Sequence, residues 1–375
     1  MEQTSFTDLN ISSRILLGPG PSMIAPRVLR AMATPVVGHL DPQFLALMDE
    51  EQALLRHVFQ TKNELTLAIP GTGSAGMEAA LCNFIEPGDA VLVAVMGFFG
   101  ERLFDMAVRY GATVDRLEHP WGQVFDPAEI EAALKVRRYK LIALVHAETS
   151  TGALQPGIPE VAAAAHQQGA LVVLDTVTSL GGLPVEIDAW GVDVAYSAAQ
   201  KCLSCPPGLA PLTVSERARE TLHRRRSPVA NWYLDLNGLE KYWGPPRAYH
   251  HTAPISLHYA MREGLRMVVE EGLAERFARH RLQAEFLWQG LEALDLPPLI
   301  PLQHRLTTLT TPQLSPSIDD AAVRRRLLDE YNVEIAGGFG PLKGKVWRIG
   351  LMGFSSRREN VAVLLAALER LLRQS

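Results

Sequence analysis

The sequence predicts an α/β protein with two unequal parts: a large domain with a mainly parallel sheet between helices, and a smaller C-terminal α/β domain. From Glu64 onward, short apolar runs alternate with helical stretches at a spacing typical of right-handed strand crossovers. After Pro254 this rhythm changes and two long helical stretches follow each other. The length of 375 residues also exceeds the usual size of one hydrophobic core. We therefore expect an arm over residues 1–15, a large domain over 16–254 and a small domain over 255–375.

The N-terminal elements begin with a turn. Residues 18–21 alternate glycine and proline, which excludes a helix and indicates a rigid turn that brings the backbone close to another group. A short helix is expected over residues 23–32, and an amphipathic helix over residues 42–59.

The alternating region supplies the strands of the predicted sheet. Each candidate is a short apolar run bounded by turn residues, too short to be a helix. The expected strands cover residues 65–69, 90–95, 113–117, 141–146, 171–174, 192–197 and 209–214. Helices are expected between them over residues 101–110, 127–136 and 158–168. In the C-terminal part we expect helices over residues 255–271, 273–294, 319–331 and 359–373, and strands over residues 307–311, 333–335 and 345–349.

Two chemically distinctive residues follow neighbouring strand candidates. Asp175 comes directly after the run at 171–174, and Lys201 follows the strand at 192–197 through a small, polar segment. In parallel sheets, ligands bind beyond these carboxyl ends of the strands. Pyridoxal 5'-phosphate (PLP) chemistry requires such a pair, because the amine forms a Schiff base and the carboxylate keeps the pyridine nitrogen protonated. Singly, an aspartate here is more often a turn or cap residue, and a lysine a solvated surface charge.

A glycine-rich turn over residues 70–76, with a helix expected after it, is a candidate phosphate site. Free backbone N–H groups at a helix start attract anions, and Thr72 and Ser74 add hydroxyl donors. The turn also matches the fingerprint G-x-G-x-x-G, which raises an NAD-dependent oxidoreductase as the rival enzyme class. That fingerprint needs an acid at the end of the second strand, whereas this strand ends in valine, methionine and glycine, and the nearest acid, Asp89, precedes it. PLP phosphate is therefore favoured.

Composition excludes several classes of partner. The net charge of −5 provides no basic surface for nucleic acid, and no apolar run reaches the length of a membrane span. The N-terminus has no signal-peptide pattern, and three cysteines fit a reducing cytoplasm, so we expect a cytoplasmic protein. Cys202 and Cys205 form a CxxC without a second pair, and we therefore expect no metal site.

Ordered motifs along nearly the whole chain carry a family resemblance. They are LGPGP at 17–21, TGS at 72–74, HAETSTG at 146–152, DTVTSLGG at 175–182, SAAQK at 197–201, YHHTAP at 249–254 and KVWRIGL at 345–351. In this order they resemble the alanine–glyoxylate (serine–pyruvate) aminotransferase group of the class V PLP-dependent aminotransferases. The resemblance implies an aspartate-aminotransferase-like fold and a homodimer whose active sites are shared between subunits.

The resemblance also implies residue roles around the cofactor ring. Lys201 is the Schiff-base lysine, and Asp175 is the partner of the pyridine nitrogen. Val177 packs on one face of the ring and Phe99 on the other, and Thr149 contributes a hydroxyl.

For the phosphate and the substrate, the resemblance implies a second set of residues. Phosphate ligands are Thr72, Gly73, Ser74 and Gln200, joined by Tyr249 and Thr252 from the other subunit. Arg348 binds the substrate carboxylate, and the turn at Gly20 roofs the pocket. From the sequence alone, a structural ion pair is the ordinary alternative for Arg348.

The implied reaction moves an amino group from alanine or serine to glyoxylate, and gives glycine with pyruvate or hydroxypyruvate. The donor stays open, because ureidoglycine is a further possibility within the group. An NAD-dependent oxidoreductase and an inactive PLP-binding protein are the alternatives from other classes.

Overall fold

The strand candidates of the N-terminal half come together in one mixed sheet. The computed structural model describes residues 8–373, so residues 1–7 of the expected arm lie outside the described residues. The strands are β1 (Ile15–Leu16), β2 (Leu65–Pro70), β3 (Ala90–Val95), β4 (Thr113–Glu118), β5 (Leu141–Val145), β6 (Ala147–Glu148), β7 (Ala153–Leu154), β8 (Leu171–Asp175), β9 (Val194–Tyr196), β10 (Leu209–Val214), β11 (Leu309–Thr310), β12 (Val333–Glu334), β13 (Ala336–Gly337) and β14 (Trp347–Gly350).

The helices connect and cover these strands. They are α1 (Pro26–Met32), α2 (Pro42–Phe59), α3 (Gly73–Cys82), α4 (Phe98–Arg109), α5 (Pro127–Leu134), α6 (Ile158–Gln167), α7 (Ile187–Trp190), α8 (Glu216–His223), α9 (Leu236–Trp243), α10 (Ile255–Glu271), α11 (Leu273–Ala293), α12 (Asp320–Tyr331) and α13 (Arg358–Leu372). Within the described residues, no helix has both the length and the apolar character needed to cross a bilayer.

The main sheet has the strand order β2-β10-β9-β8-β5-β3-β4. Strands β9, β8, β5, β3 and β4 run parallel to one another, while β10 is antiparallel to both β2 and β9. Strands β5 and β8 are buried along their whole length, as expected for parallel strands covered by helices on both faces. The predicted mainly parallel sheet is therefore confirmed.

Two helices begin earlier than the sequence pattern predicts. Helix α3 begins at Gly73, inside the glycine-rich turn, because Thr72 is extended and acts as its N-cap residue. Helix α4 begins at Phe98 rather than at residue 101, because its first N–H groups find acceptors on the distant β6–β7 hairpin. Helices α7, α8 and α9 are additions that the sequence analysis does not predict.

The buried apolar side chains form two principal clusters. The first contains the main sheet and the buried face of α10, and the second contains α11 to α13 together with Leu17. Strand β1 pairs with β12, so the start of the chain lies against the C-terminal unit. The domain limits at residues 15, 254 and 255 stay predictions, and the packing associates α10 with the first core.

Candidate active site

Asp175 and Lys201 lie at the carboxyl ends of adjacent parallel strands. Asp175 ends β8 and is opposite Tyr196, the last residue of β9, and Lys201 follows β9 in a turn. The expectation that the two residues follow neighbouring strands is confirmed.

The carboxylate of Asp175 is buried among neutral hydrogen-bond donors. Its Oδ1 accepts from the backbone N–H of Val177 at 2.8 Å, and its Oδ2 accepts from the hydroxyl of Tyr196 at 2.7 Å. Burial raises the pKa of Asp175 to about 7, and these two donors oppose that shift only in part. Because a cation placed against such a carboxylate stabilises its ionised form, Asp175 is suited to a protonated ring nitrogen.

The amine of Lys201 is held by the glycine–proline turn. Nζ donates to the carbonyl oxygen of Pro19, and a Cβ added to Gly20 would lie 2.8 Å from Nζ, at a φ of +116°. The turn therefore approaches another group closely, as predicted. Burial, with a further contribution from the charge of Arg348, lowers the pKa of Lys201 to about 8. The neutral, nucleophilic form of this amine is thus accessible near physiological pH.

The start of α3 lies against the segments that follow Asp175 and precede Lys201. The side chain of Thr72 is exposed and makes no capping hydrogen bond. Gly73 is buried, and a Cβ there would lie 3.0 Å from Ala198 Cβ and 3.3 Å from Val177 Cγ2, so the close approach of this backbone to its neighbours favours glycine. The buried Oε1 of Gln200 has no hydrogen-bond partner within residues 8–373. Rotating the side-chain amide by 180° would exchange its oxygen and nitrogen and place the NH2 group at this position.

Phe99 and Thr149 are fixed by contacts between α4 and the loop after β5. The N–H of Phe99 lies 3.3 Å from a carboxylate oxygen of Glu148, and the N–H of Phe98 donates to the hydroxyl of Ser150 at 3.0 Å. The buried hydroxyl of Thr149 is hydrogen-bonded to that of Thr178. Burial raises the pKa of Glu148, while donors at the start of α4 oppose the shift.

Arg348 is a buried guanidinium without a carboxylate partner in the described part of the chain. Its Nε donates to the carbonyl oxygen of Gly337 at 2.8 Å, and its Cζ lies 3.8 Å from the ring centroid of Phe339. Burial lowers the pKa of Arg348 to about 10, and the charge of Glu148 opposes this shift. The structural ion pair considered from the sequence is therefore not found among residues 8–373.

Tyr249 and Thr252 are not part of this buried group. Both are exposed, Tyr249 with 62 % of its surface accessible, and the ring of Tyr249 packs on His39 with centroids 5.1 Å apart. Among the described residues, no three His, Cys, Asp or Glu side chains converge as metal ligands.

Sequence reasoning did not single out Arg102 and Glu148. Arg102 Nη1 donates to Ser74 Oγ at 2.9 Å, and its Cζ lies 5.0 Å from the ring centroid of Phe99. Helical spacing could have found Arg102, since it is three residues after Phe99 and so lies on the same side of α4. No local signal could have found the contact between Glu148 and α4, because it joins residues about 50 positions apart in the chain.

The family described as Aminotransferase class-V matches residues 15–353. The chain belongs to the class-V aminotransferases. It is 42 % identical to the (S)-ureidoglycine–glyoxylate transaminase of Bacillus subtilis (96 % of this chain, 90 % of the relative). It is 40 % identical to the alanine–glyoxylate aminotransferase of Callithrix jacchus (97 % of this chain, 89 % of the relative).

Solved structures of several aminotransferases have the same fold. The alanine–glyoxylate aminotransferase of Nostoc sp. superposes with a TM-score of 0.97 at 56 % identity, covering 99 % of this chain and 98 % of that one. The ureidoglycine–glyoxylate aminotransferase of Bacillus subtilis gives 0.96 at 44 % identity, covering 98 % and 95 %. An aspartate aminotransferase of Thermus thermophilus gives 0.86 at 35 % identity, covering 95 % and 99 %. The predicted aspartate-aminotransferase-like fold and the aminotransferase activity are thus confirmed; this family and fold are in general PLP-dependent.

The topology of this aminotransferase also disfavours the dinucleotide alternative. In a dinucleotide-binding fold, the strands on either side of the fingerprint helix are neighbours in the sheet. Here β2 and β3, which flank α3, are separated by β10, β9, β8 and β5. The glycine-rich turn therefore begins a helix at the edge of the sheet, and its sequence match to the fingerprint is incidental.

Proposed function

We propose that this aminotransferase uses PLP to transfer the amino group of alanine or serine to glyoxylate, giving glycine and pyruvate or hydroxypyruvate. The observation that carries the proposal is the convergence of three groups: the Lys201 amine, the buried Asp175 carboxylate and the Arg348 guanidinium, which has no carboxylate partner among residues 8–373. The charges of Arg348 and Asp175 both act on the pKa of Lys201, which supports a common site for the three groups.

The residues present fit the ring nitrogen, the aldehyde, the phosphate and the ring faces of PLP. Asp175 is a buried carboxylate with neutral partners that suits a pyridinium nitrogen, and Lys201 supplies the amine. The start of α3 would supply donors for the phosphate from Thr72, Gly73 and Ser74, and the side-chain amide of Gln200 would be a further donor. The ring would lie between Val177 and Phe99, within reach of the Thr149 hydroxyl.

PLP, when bound, supplies an aldehyde for the substrate amine and a protonated ring that takes up electrons from the substrate Cα. Lys201 Nζ would take the proton from this Cα as general base and deliver it as general acid to the C4′ carbon of the cofactor, a task that suits a pKa of about 8. Asp175 holds its negative charge against the ring nitrogen and so favours the protonated ring.

Arg348 orients the substrate through its carboxylate. Because Nε already donates to the carbonyl of Gly337, the two terminal nitrogens are left for a bidentate contact. The stacking of the guanidinium on Phe339 limits its rotation. Both contacts reduce the freedom that Arg348 would lose when a carboxylate binds.

Glyoxylate as acceptor is supported by the close approach of the Gly20 turn to Lys201, which favours a substrate with almost no side chain. The alanine–glyoxylate aminotransferases of Callithrix jacchus and Nostoc sp. support alanine as donor. Ureidoglycine is the second candidate donor, supported by the Bacillus subtilis transaminase at 42 % identity. Both candidates share the acceptor and differ in the donor.

We further propose a cytoplasmic homodimer with shared sites. The exposure of Tyr249 and Thr252 is what residues that serve a neighbouring subunit's phosphate site require. Cys82, Cys202 and Cys205 are all free and buried, which fits a reducing compartment.

The first experiment tests the cofactor and the half-reaction together. Purified protein should be yellow, lose its visible band on borohydride reduction, and bleach when alanine or serine is added. Colourless protein that binds NAD would contradict the proposal, and colour without a response to amino acids would favour an inactive PLP-binding protein.

The second experiment identifies the amino donor and tests the proposed roles of Lys201 and Arg348. Alanine, serine and ureidoglycine are each offered with glyoxylate, and glycine and the oxo acid are measured. Lys201→Ala should abolish turnover, Arg348→Ala should mainly raise KM for the carboxylate substrates, and the exposed Lys135→Ala should change neither. Preferential turnover of ureidoglycine would favour the second candidate.

A further inference from the structure

Arg102 joins two parts of the candidate site that come from different elements. From α4, its Nη1 donates to the hydroxyl oxygen of Ser74 at the start of α3, at 2.9 Å. Its Cζ lies 5.0 Å from the ring centroid of Phe99 and 5.1 Å from that of Phe98. One guanidinium therefore contacts both the candidate phosphate site and the aromatic pair beside it.

The hydrogen bond to Ser74 has a directional consequence. A serine hydroxyl has one O–H donor and two acceptor lone pairs. Because Ser74 Oγ accepts from Arg102, its own O–H stays available as a donor to an anion. The positive charge of the guanidinium also polarises this hydroxyl and strengthens that donor.

The charge of Arg102 is not compensated by an ion pair within residues 8–373. Thr72, Gly73, Ser74 and Gln200, the candidate phosphate ligands of this chain, are all neutral. A phosphate monoester carries about two negative charges near neutral pH, and neutral donors alone leave this charge unbalanced. Arg102 is hydrogen-bonded directly to one of these ligands, Ser74, and so brings a positive charge to this group of residues.

We propose that Arg102 is a positioning residue for the cofactor phosphate, acting by orienting the Ser74 hydroxyl and by supplying the positive charge that the neutral phosphate ligands lack. This inference rests on the proposed PLP function. It differs from a purely structural role, in which Arg102 would only hold Phe98 and Phe99 in place.

The test compares two cofactor forms that differ only in the phosphate. Dissociation constants of PLP and of pyridoxal are measured on the apoprotein for the wild type, Arg102→Gln and Arg102→Lys. Arg102→Gln keeps a hydrogen-bond donor and loses the charge, so PLP affinity should fall about tenfold or more while pyridoxal affinity stays within about twofold. Arg102→Lys keeps the positive charge and should therefore lose less PLP affinity than Arg102→Gln.

Two further measurements separate the possible outcomes. Inorganic phosphate should compete with PLP more weakly in Arg102→Gln than in the wild type. The double variant with Ser74→Ala and Arg102→Gln should lose less PLP binding free energy than the sum of the losses in the two single variants. The inference would be overturned if Arg102→Gln lost affinity equally for PLP and pyridoxal, or lost affinity for neither. If the wild type itself fails to bind PLP, the proposed function fails instead, so the two failures are distinguishable.

Discussion

The amine of Lys201 and the carboxylate of Asp175 have pKa values shifted towards each other. Burial lowers the pKa of Lys201 to about 8 and raises the pKa of Asp175 to about 7, because a low-dielectric site disfavours the charged form of either group. A ligand with a ring cation near Asp175 would stabilise the carboxylate, and an electrophile near Lys201 would react with the neutral amine. The residue types were predictable from the sequence, but both shifts depend on burial in the folded protein, and the shift of Lys201 depends also on the charge of Arg348.

The pKa of Lys201 gives a prediction for cofactor attachment. The amine is half protonated near pH 8, so the rate at which the visible band develops after apoprotein is mixed with PLP should rise with pH through a midpoint near 8 and level off only at higher pH. Removing the charge of Arg348 by Arg348→Met should raise the pKa of Lys201 and move the whole profile to higher pH. Stopped-flow absorbance across this range measures both profiles.

A matched control uses Arg109→Met, whose side chain is 73 % exposed in a surface ion pair, and which should leave the profile unmoved. A wild-type profile with its midpoint near 10.5, the ordinary value for lysine, would contradict the assignment of a buried amine.

At the scale of elements, the start of α4 is held by tertiary contacts rather than by a local cap. Its N-cap residue is Gly97, which has no side chain to accept from the first turn, and Glu148 and Ser150 of the loop after β5 accept instead. The helix carries Phe99 and Arg102, so this loop sets the position of both. The sequence places this helix correctly but starts it about one turn late, because the capping groups lie on another element.

Gly97 gives the prediction at this scale. A Cβ there would lie 2.5 Å from Glu148 Cδ, so Gly97→Ala must displace a buried carboxylate. We expect a loss of about 1–3 kcal/mol in the free energy of unfolding and weaker PLP binding. Denaturant unfolding measures the first and titration of the apoprotein the second.

Gly38→Ala is the matched substitution, since a Cβ on Gly38 meets nothing within 4 Å, and it should change the stability by less than about 0.5 kcal/mol. Equal stability of the two variants would show that Glu148 and the start of α4 are not held as rigidly as this packing indicates.

For the whole molecule, the proposed shared site can be tested with hybrid dimers. Subunits carrying Lys201→Ala are mixed and refolded with subunits carrying both Tyr249→Phe and Thr252→Ala, which remove the proposed phosphate contacts to the neighbouring site. In a hybrid, one site would keep Lys201 together with intact Tyr249 and Thr252, while the other would lose all three. Activity should therefore reappear on mixing, although each parent alone has little.

Turnover and mass measurements distinguish the outcomes for these mixtures. Recovered activity in a fraction with the mass of a dimer supports the shared site. A monomeric mass, or mixtures with only the sum of the parental activities after subunit exchange has been verified, would contradict it.

Local patterns determined the order and type of most elements. Apolar periodicity and turn residues act over a few positions, so the strands of the main sheet and the long helices α2, α10 and α11 were predicted within a few residues. The ordered motifs likewise indicated the family. These predictions could be made without knowledge of the three-dimensional arrangement.

The tertiary structure decided how distant residues meet. The neighbour relation of β8 and β9 brings Asp175 and Lys201 together, and the packing of α4 against α3 places Arg102 on Ser74. It also left Arg348 without an acidic partner among the described residues and kept Tyr249 at the surface. These features depend on strand order and packing between segments far apart in the chain, and on the burial that sets each charge, whereas sequence periodicity reports only on neighbours along the backbone.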